Sequence, residues 1–554
     1  MTIEDAGKSV TRRAVTDIDV AASARDLIAQ LALNPWGQVG PSVYETARLV
    51  TVASWLSGHD QRVRYLLDNQ RPDGGWGPRE CYALVPTLSA TEALLSTLRR
   101  LDTGSPGGVA EADLAGAVDR GLRALFGWLQ TGALSVPDTP AIDVIVPALV
   151  AAINEHLRQV REAPIRGLAP WWGDRRLGLP PGMSGARLAA VRQLLTAGVQ
   201  LPAKLLHFLE VLGDGARGAP GLRPVPPGVV GASPAATAAW LGGPTASGSA
   251  ASGPAGAARE FLEGVVSRQG GPVPCPTPIT VFERAWVLSS LARAGVPLTV
   301  PPALLEELSA AVEPAGIAAG AGLPADADTS SVMLYALAKL GRKVAPDSLW
   351  AFETEAGFCT WPGEDGFSVT TNAHVLDAFG QHLIARADAP PRYLAVQDKL
   401  SATLSAEQQV DGSWCDRWHA SPYYATVCCA VALDRFGRGP AAVEAVAAAV
   451  DWVLATQRPD GSWGRWYGTA EETAYAMQVL LATRNPARRA IDQAVGRGYA
   501  FLCEAVGRRA DPPLWYGKEL YLPEAIVRAA VLAALHLAQV RSGSVVFDAT
   551  ARRQ

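Results

Sequence analysis

Residues 323–341 read LPADADTSSVMLYALAKLG, and two carboxylates, Asp326 and Asp328, stand one residue apart in a stretch that is otherwise mostly apolar. Carboxyl groups in such a setting can do two kinds of work. One is structural: Asp at a helix N-terminus accepts orphan backbone N–H bonds and complements the helix dipole. The other is acid catalysis. Desolvation and a like charge next door raise a carboxyl pKa by up to about 3–5 units, which keeps the group protonated and able to donate. The helix N-terminus opposes this by only about 0.3–1 kcal/mol, against about 1.4 kcal/mol per pKa unit, so burial wins where the site is dry.

The element that must carry this pair is a helix. Val332, Ala336 and Leu340, or Met333, Leu337 and Leu340, follow at helical spacing, and Gly341 is a stop signal. Stretches such as SARDLIAQLALN, AVDRGLRALFGWLQ and AAVEAVAAAVDWVLATQ have the same three-to-four periodicity, and alternating strand patterns are absent, so the fold class is all-α. Residues 213–258, rich in Gly and Pro, read as loop and as a candidate domain junction.

A motif recurs along the chain. QRPDGGW (Gln70 to Trp76), QQVDGSW (Gln408 to Trp414) and QRPDGSW (Gln457 to Trp463) share Q-x-x-D-G-[SG]-W, and EAGFCTW, ending at Trp361, is a degenerate copy. The last three tryptophans are 53 and 49 residues apart, a period that suits a helical hairpin repeated in an array or a closed helical barrel. The Gln amide and Trp ring are expected to tie each D-G turn onto a neighbouring helix, a structural role.

Composition limits the partners. At 554 residues the chain holds more than one ordinary domain. Net charge is −4, with 18% charged residues, so there is no basic field for nucleic acid. Seven cysteines lack CxxC spacing, the opening MTIEDAGKSVTRR has no apolar signal core, and no run of about 18 apolar residues lacks a charge or a breaker. A cytoplasmic protein without a transmembrane segment is expected.

The repeats resemble the QW motifs of class II terpene and triterpene cyclases. PSVYETARLV (from Pro41) resembles the SxYDTAW segment of the diterpenoid members. SPAATAAWL (from Ser233), TTNAHVLDAFG (from Thr370), DRWHASPYYAT (from Asp416), GTAEETAYAMQVL (from Gly468) and PLWYGKELYLP (from Pro513) resemble the bacterial ones, in order along the chain. The resemblance implies two α/α-barrel domains, a β domain of residues 1–36 plus 266–554 and a γ domain of residues 37–265 inserted after the first helix, with the active site between them.

It also implies an activity: protonation of an alkene of a linear prenyl diphosphate, then ring closure with the diphosphate retained. The family's D-x-D-D acid motif falls on DADT, which makes Asp328 the acid and Asp326 the first motif aspartate; Thr329 replaces the last. Drimane-type cyclases carry a D-x-D-T-T variant, so the expected substrate is farnesyl diphosphate and the product a drimenyl-type diphosphate. The alternative is geranylgeranyl diphosphate and a labdane or copalyl-type product. Plant members position the acid with a Thr and an Asn four residues apart, which implies Ser368 and Asn372 here. Aromatic faces would shelter the migrating cation; Trp361, Trp418, Tyr423, Trp515 and Tyr516 are the candidates, within a wider set that includes Tyr424 and Tyr521. Arg417 and Lys518 would hold the diphosphate, with Mg2+ on Asp143, which stands where relatives have the Glu of EIVFP. An ent-copalyl-type His/Asn terminating dyad is broken, because His207 is present but Cys275 stands in place of the Asn. A zinc-dependent prenyltransferase subunit and a non-enzymatic repeat scaffold are the competing classes, the first requiring an Asp/Cys/His zinc site that the sequence does not display.

Overall fold

The computed structural model describes residues 18–100, 109–132, 135–219, 221–243, 253–364, 366–384, 386, 390–505 and 511–551, the side chains as far as 543. The opening MTIEDAGKSVTRR and most of LGGPTASGSAASGPAG lie outside those residues.

Helices account for the architecture, and among the described residues the strands are four two-residue pieces in two antiparallel pairs. One large core gathers helix Val20–Leu33 with the helices from Thr280–Ala294 to the C-terminal helix starting at Glu524. A second core is built from the intervening chain, between Val43 and Ala236. The chain thus leaves the first core after one helix and returns to it near Ile279.

Two expectations are corrected here. Residue 265 falls inside helix Pro254–Gln269, whose Phe261, Leu262, Val265 and Val266 pack together on Leu49, Leu56 and Val229. One continuous apolar face cannot be split between domains, so that helix belongs wholly with the inserted segment. Residues 213–258 are also not all loop: Ser233 caps helix Pro234–Leu241, whose Ala235, Ala236 and Ala238 are fully buried. Small residues build core where backbones approach closely, a pattern that Gly/Pro-based loop reading misses.

The recurrent motif ties turns to helices as its residue types require. Gln70, Gln408 and Gln457 each donate to the carbonyl of their own turn glycine and to a carbonyl on the second α-helix that follows (Ala117, Ala445 and Ala494), all at 2.8–2.9 Å. Trp76, Trp414 and Trp463 are fully buried, and each indole N–H donates to a carbonyl ten residues earlier. Gly412 has φ +95°, and a Cβ there would sit 2.5 Å from the Ala448 carbonyl, so only glycine fits. Among the described residues, one helical stretch, Glu524–Gly543, is long and apolar enough to cross a membrane; 61% of it is buried within the fold, against Thr280–Ala294, Ala470–Ala482 and Val20–Leu33.

Candidate active site

The acid motif sits where a short strand pair becomes a helix. Ile317–Ala318 and Ala325–Asp326 pair antiparallel, and Asp326, in extended conformation, caps helix Ala327–Lys339 by accepting the Thr329 N–H at 2.6 Å. Asp326 is 3% exposed. Burial, aided by the charge of Asp328 and opposed by the Thr329 hydrogen bonds, pushes its carboxyl up to about 8, so it is mainly neutral at pH 7.

Asp328 lies in the first turn and retains 14% of its side-chain surface, an edge that a water-sized molecule can touch. Its Oδ1 is 2.7 Å from His374 Nδ1, on helix Val369–Ile384. Burial alone would lower the His374 pKa, but the Asp328 carboxylate, with Cys428 adding, pushes it up to about 10. The partner of the acid is therefore an imidazolium at neutral pH.

Asn372 and Ser368 do not reach Asp328. Asn372 clamps Phe358, accepting its N–H at 2.8 Å and donating to its carbonyl at 3.0 Å, and Ser368 donates to Asp416 and accepts from the Thr371 N–H. The two share a face as their spacing requires, but a helix turns about 200° over two residues, so His374 looks the opposite way. Thr329 is 1% exposed and serves Asp326.

Beyond His374 lies a wall of rings. Trp286 is edge-on to His374 at 5.6 Å, stacks near Phe282 at 4.1 Å, and donates its N–H to the Tyr424 hydroxyl at 2.8 Å. Trp515 joins it, 4.7 Å from Tyr424 and 5.8 Å from Phe282. Of the expected aromatics, then, Trp515 and Tyr424 are in this wall, while Phe282 and Trp286 were not anticipated. They precede the acid motif by 40 residues or more on a helix outside the matched segments, and only their buried, paired aromatic character signals them.

Trp361 and Trp418 form a separate edge-to-face pair at 5.2 Å, and Trp418 donates to the Thr360 hydroxyl at 3.2 Å. The Thr360 carbonyl accepts the Ala327 N–H, so this pair flanks the start of the acid helix. Tyr423 is a correction: it packs on Trp452 at 4.6 Å, because adjacent residues on helix Pro422–Phe436 point about 100° apart and Tyr424 takes the inward position. Tyr516 meets the Tyr82 hydroxyl at 2.5 Å, bridging the two cores rather than lining the wall.

The charged candidates divide likewise. Lys518 is 2% exposed and saturated by Glu45 at 3.0 Å, Glu210 at 2.8 Å and Ser233 at 2.8 Å. These carboxylates hold its ammonium charged despite burial, so it staples the two cores and is not available to a diphosphate. Arg417 stays a candidate, half-buried over Trp418, with Glu364 at 2.9 Å and Asp138 of the inserted segment at 3.1 Å. Asp143 is exposed at 35% and paired with Arg187 at 2.5 Å. Among the described residues no three His, Cys, Asp or Glu side chains come together as a metal site. His207 and Cys275 are brought together, Nε2 to Sγ 3.8 Å, with His207 Nδ1 on the Gly231 carbonyl. Burial, then Lys518, lowers the His207 pKa to about 4, leaving a neutral imidazole beside a thiol.

Residues 365–509 match the squalene-hopene cyclase C-terminal domain family. The chain is 41% identical to ent-copalyl diphosphate synthase of Streptomyces sp. strain KO-3988, over 94% of this chain and 96% of that one. It is a class II terpene cyclase. The cyclase is also 40% identical to labda-7,13-dienyl diphosphate synthase of Streptomyces clavuligerus, over 93% of each chain. Its fold superposes on ent-copalyl diphosphate synthase from Streptomyces platensis with TM-score 0.87 and 46% identity, covering 94% of this chain and all of that one.

Proposed function

We propose that this cyclase protonates geranylgeranyl diphosphate at its terminal alkene and closes it to a labdane-type, copalyl-like bicyclic diphosphate, one proton being returned to solvent or base. The observation that carries the chemistry is the Asp328–His374 contact. An alkene accepts a proton only from a neutral acid. His374 is hydrogen-bonded to Oδ1, so Oδ2 is the oxygen left to hand a proton to the alkene, and the imidazolium stabilises the carboxylate that forms when it does. The rings beyond then receive the cation where water would quench it.

Twenty carbons are supported over fifteen by the near-full-length relatives, which are named for copalyl and labdadienyl diphosphates. The fifteen-carbon expectation rested on Thr329, and Thr329 is occupied with Asp326, so its identity reports on the motif's local geometry rather than on pocket depth. Diphosphate retention is consistent with the absence of any adjacent Asp-Asp pair from the sequence. Arg417 is the basic residue retained for the diphosphate. Magnesium enters as counter-ion to the diphosphate oxygens, a hard cation on hard donors, with Asp143 as one further ligand.

The experiment is a one-pot competition between equimolar farnesyl and geranylgeranyl diphosphates with magnesium, followed by phosphatase and gas chromatography with mass detection. The reading expects a bicyclic C20 alcohol, seen only after phosphatase, as the dominant product. A dominant C15 bicycle restores the drimane reading, and no cyclic product from either substrate refutes both.

A further inference from the structure

Glu471 stands in the first turn of helix Ala470–Ala482, fully buried, and the protonation step leaves it without a role. Its Oε1 receives three hydrogen bonds: from Trp515 Nε1 at 2.8 Å, the Tyr475 hydroxyl at 3.1 Å and His419 Nε2 at 3.2 Å. The backbone N–H of Ser421 donates to His419 Nδ1 at 3.0 Å, which fixes the tautomer with the proton on Nε2 and the ring neutral. All three partners donate and none is a cation. Oε2 is buried without a hydrogen-bond partner. The neighbouring Asp511 is another acid, accepting the Ala470 and Glu471 N–H groups. Three neutral donors and the positive end of the helix dipole are all that is set against its burial. A carboxylate buried without a counter-ion is costly as a structural device.

Its donors are what give it a use. Trp515 belongs to the ring wall, and His419 stacks on Tyr424 at 4.6 Å and 27°, so Glu471 touches one member of that wall and reaches a second through His419. A carboxylate drawing on an indole N–H pushes electron density into the ring and strengthens its negative face towards a cation. In a site shielded from water its own charge acts in the same direction. A neutral alkene gains almost nothing from either effect, so the stabilisation is confined to the charged species.

We propose that Glu471 is a positioning residue for cation stabilisation: acting through Trp515 and His419, it orients the wall facing His374 and Asp328 and makes it electron-rich, favouring a tertiary carbocation over the neutral polyene. The inference rests on the protonation-initiated cyclisation proposed above.

The test uses the full-length protein and two prenyl diphosphates that the wild type binds, one with a tertiary ammonium where the cation forms and one with carbon in its place. The ratio of their dissociation constants is measured for the wild type and for Glu471→Gln. The ratio is expected to fall about tenfold in Glu471→Gln with the carbon analogue bound as before, since the cation-specific share of a ring wall is of that order. Monocyclic or hydroxylated products from early quenching are expected to rise. Trp515→Phe keeps a ring, removes the N–H, and is expected to lower the ratio about threefold, which serves if Glu471→Gln does not fold. A wild-type enzyme that cyclises its substrate, with an unchanged ratio in both variants, overturns this inference and leaves the functional reading intact. A wild type that cyclises neither substrate overturns the reading, and the inference with it.

Discussion

Asp328 Oδ1 and His374 Nδ1 are 2.7 Å apart on two helices of the same core, and this contact gives the acid motif a direction. Asp326 and Asp328 are near neighbours in sequence but hold different positions. The first caps the helix and is kept mainly neutral by burial; the second faces accessible space and is held from behind by an imidazolium.

The pair makes stability depend on pH. The His374 pKa is raised in the fold to about 10 from 6.5, so its contribution is full below about pH 6.5 and is lost as pH rises through 10. The unfolding free energy of the wild type should exceed that of His374→Gln near pH 7, by an amount on the order of a few kcal/mol at most, and the gap should close by about pH 10. A gap that is constant across this range contradicts the assignment.

Asp326 gives a second window. Its pKa is raised to about 8 from 3.8, so its carboxyl favours the fold below about pH 4, and that contribution is lost as pH rises through 8. Asp326→Asn keeps an acceptor for the Thr329 N–H and has no titration there. Its melting temperature should gain on the wild type between pH 5 and pH 8, which parallel melts at the two values will show.

Lys518 and Arg417 should separate stability from binding. Lys518→Met leaves Glu45 and Glu210 buried without their cation, at a cost of about 3–5 kcal/mol, read as a large drop in unfolding midpoint. Arg417→Gln, whose partner Asp138 is exposed, should lower that midpoint less than Lys518→Met does and weaken calorimetric binding of a non-cyclisable prenyl diphosphate about tenfold, the scale of one charge-assisted contact. The reverse pattern returns Lys518 to the diphosphate site.

The recurrent turn is a matter of stability alone. Trp414→Phe removes the bond to the Leu404 carbonyl and part of a fully buried ring, costing about 2–4 kcal/mol in denaturant unfolding. Turnover per folded molecule should match the wild type.

What could be read in the sequence followed from local rules. Asp326 as cap, the helix behind it, and the Gln and Trp ties were legible because spacing along one helix or turn decides them. His374 was not, although it stands two residues from Asn372. Four-residue spacing joins Ser368 to Asn372 on one face, but which face meets Asp328 is decided by the packing of helix Val369–Ile384 on helix Ala327–Lys339. The ties of Lys518 are hidden from the sequence for the same reason. Its three partners lie about 285–475 residues away in sequence, on the other core, and no local pattern announces them.

Single-turnover cyclisation of geranylgeranyl diphosphate by Asp328→Asn tests the central claim most directly. The substitution preserves the side-chain shape and the contact with His374 but removes the proton to be transferred. If Asp328 is the proton donor, the protein stays folded and its rate of forming the phosphatase-released bicycle falls by about a thousandfold or more, in line with loss of a general acid. A rate within tenfold of the wild type contradicts it.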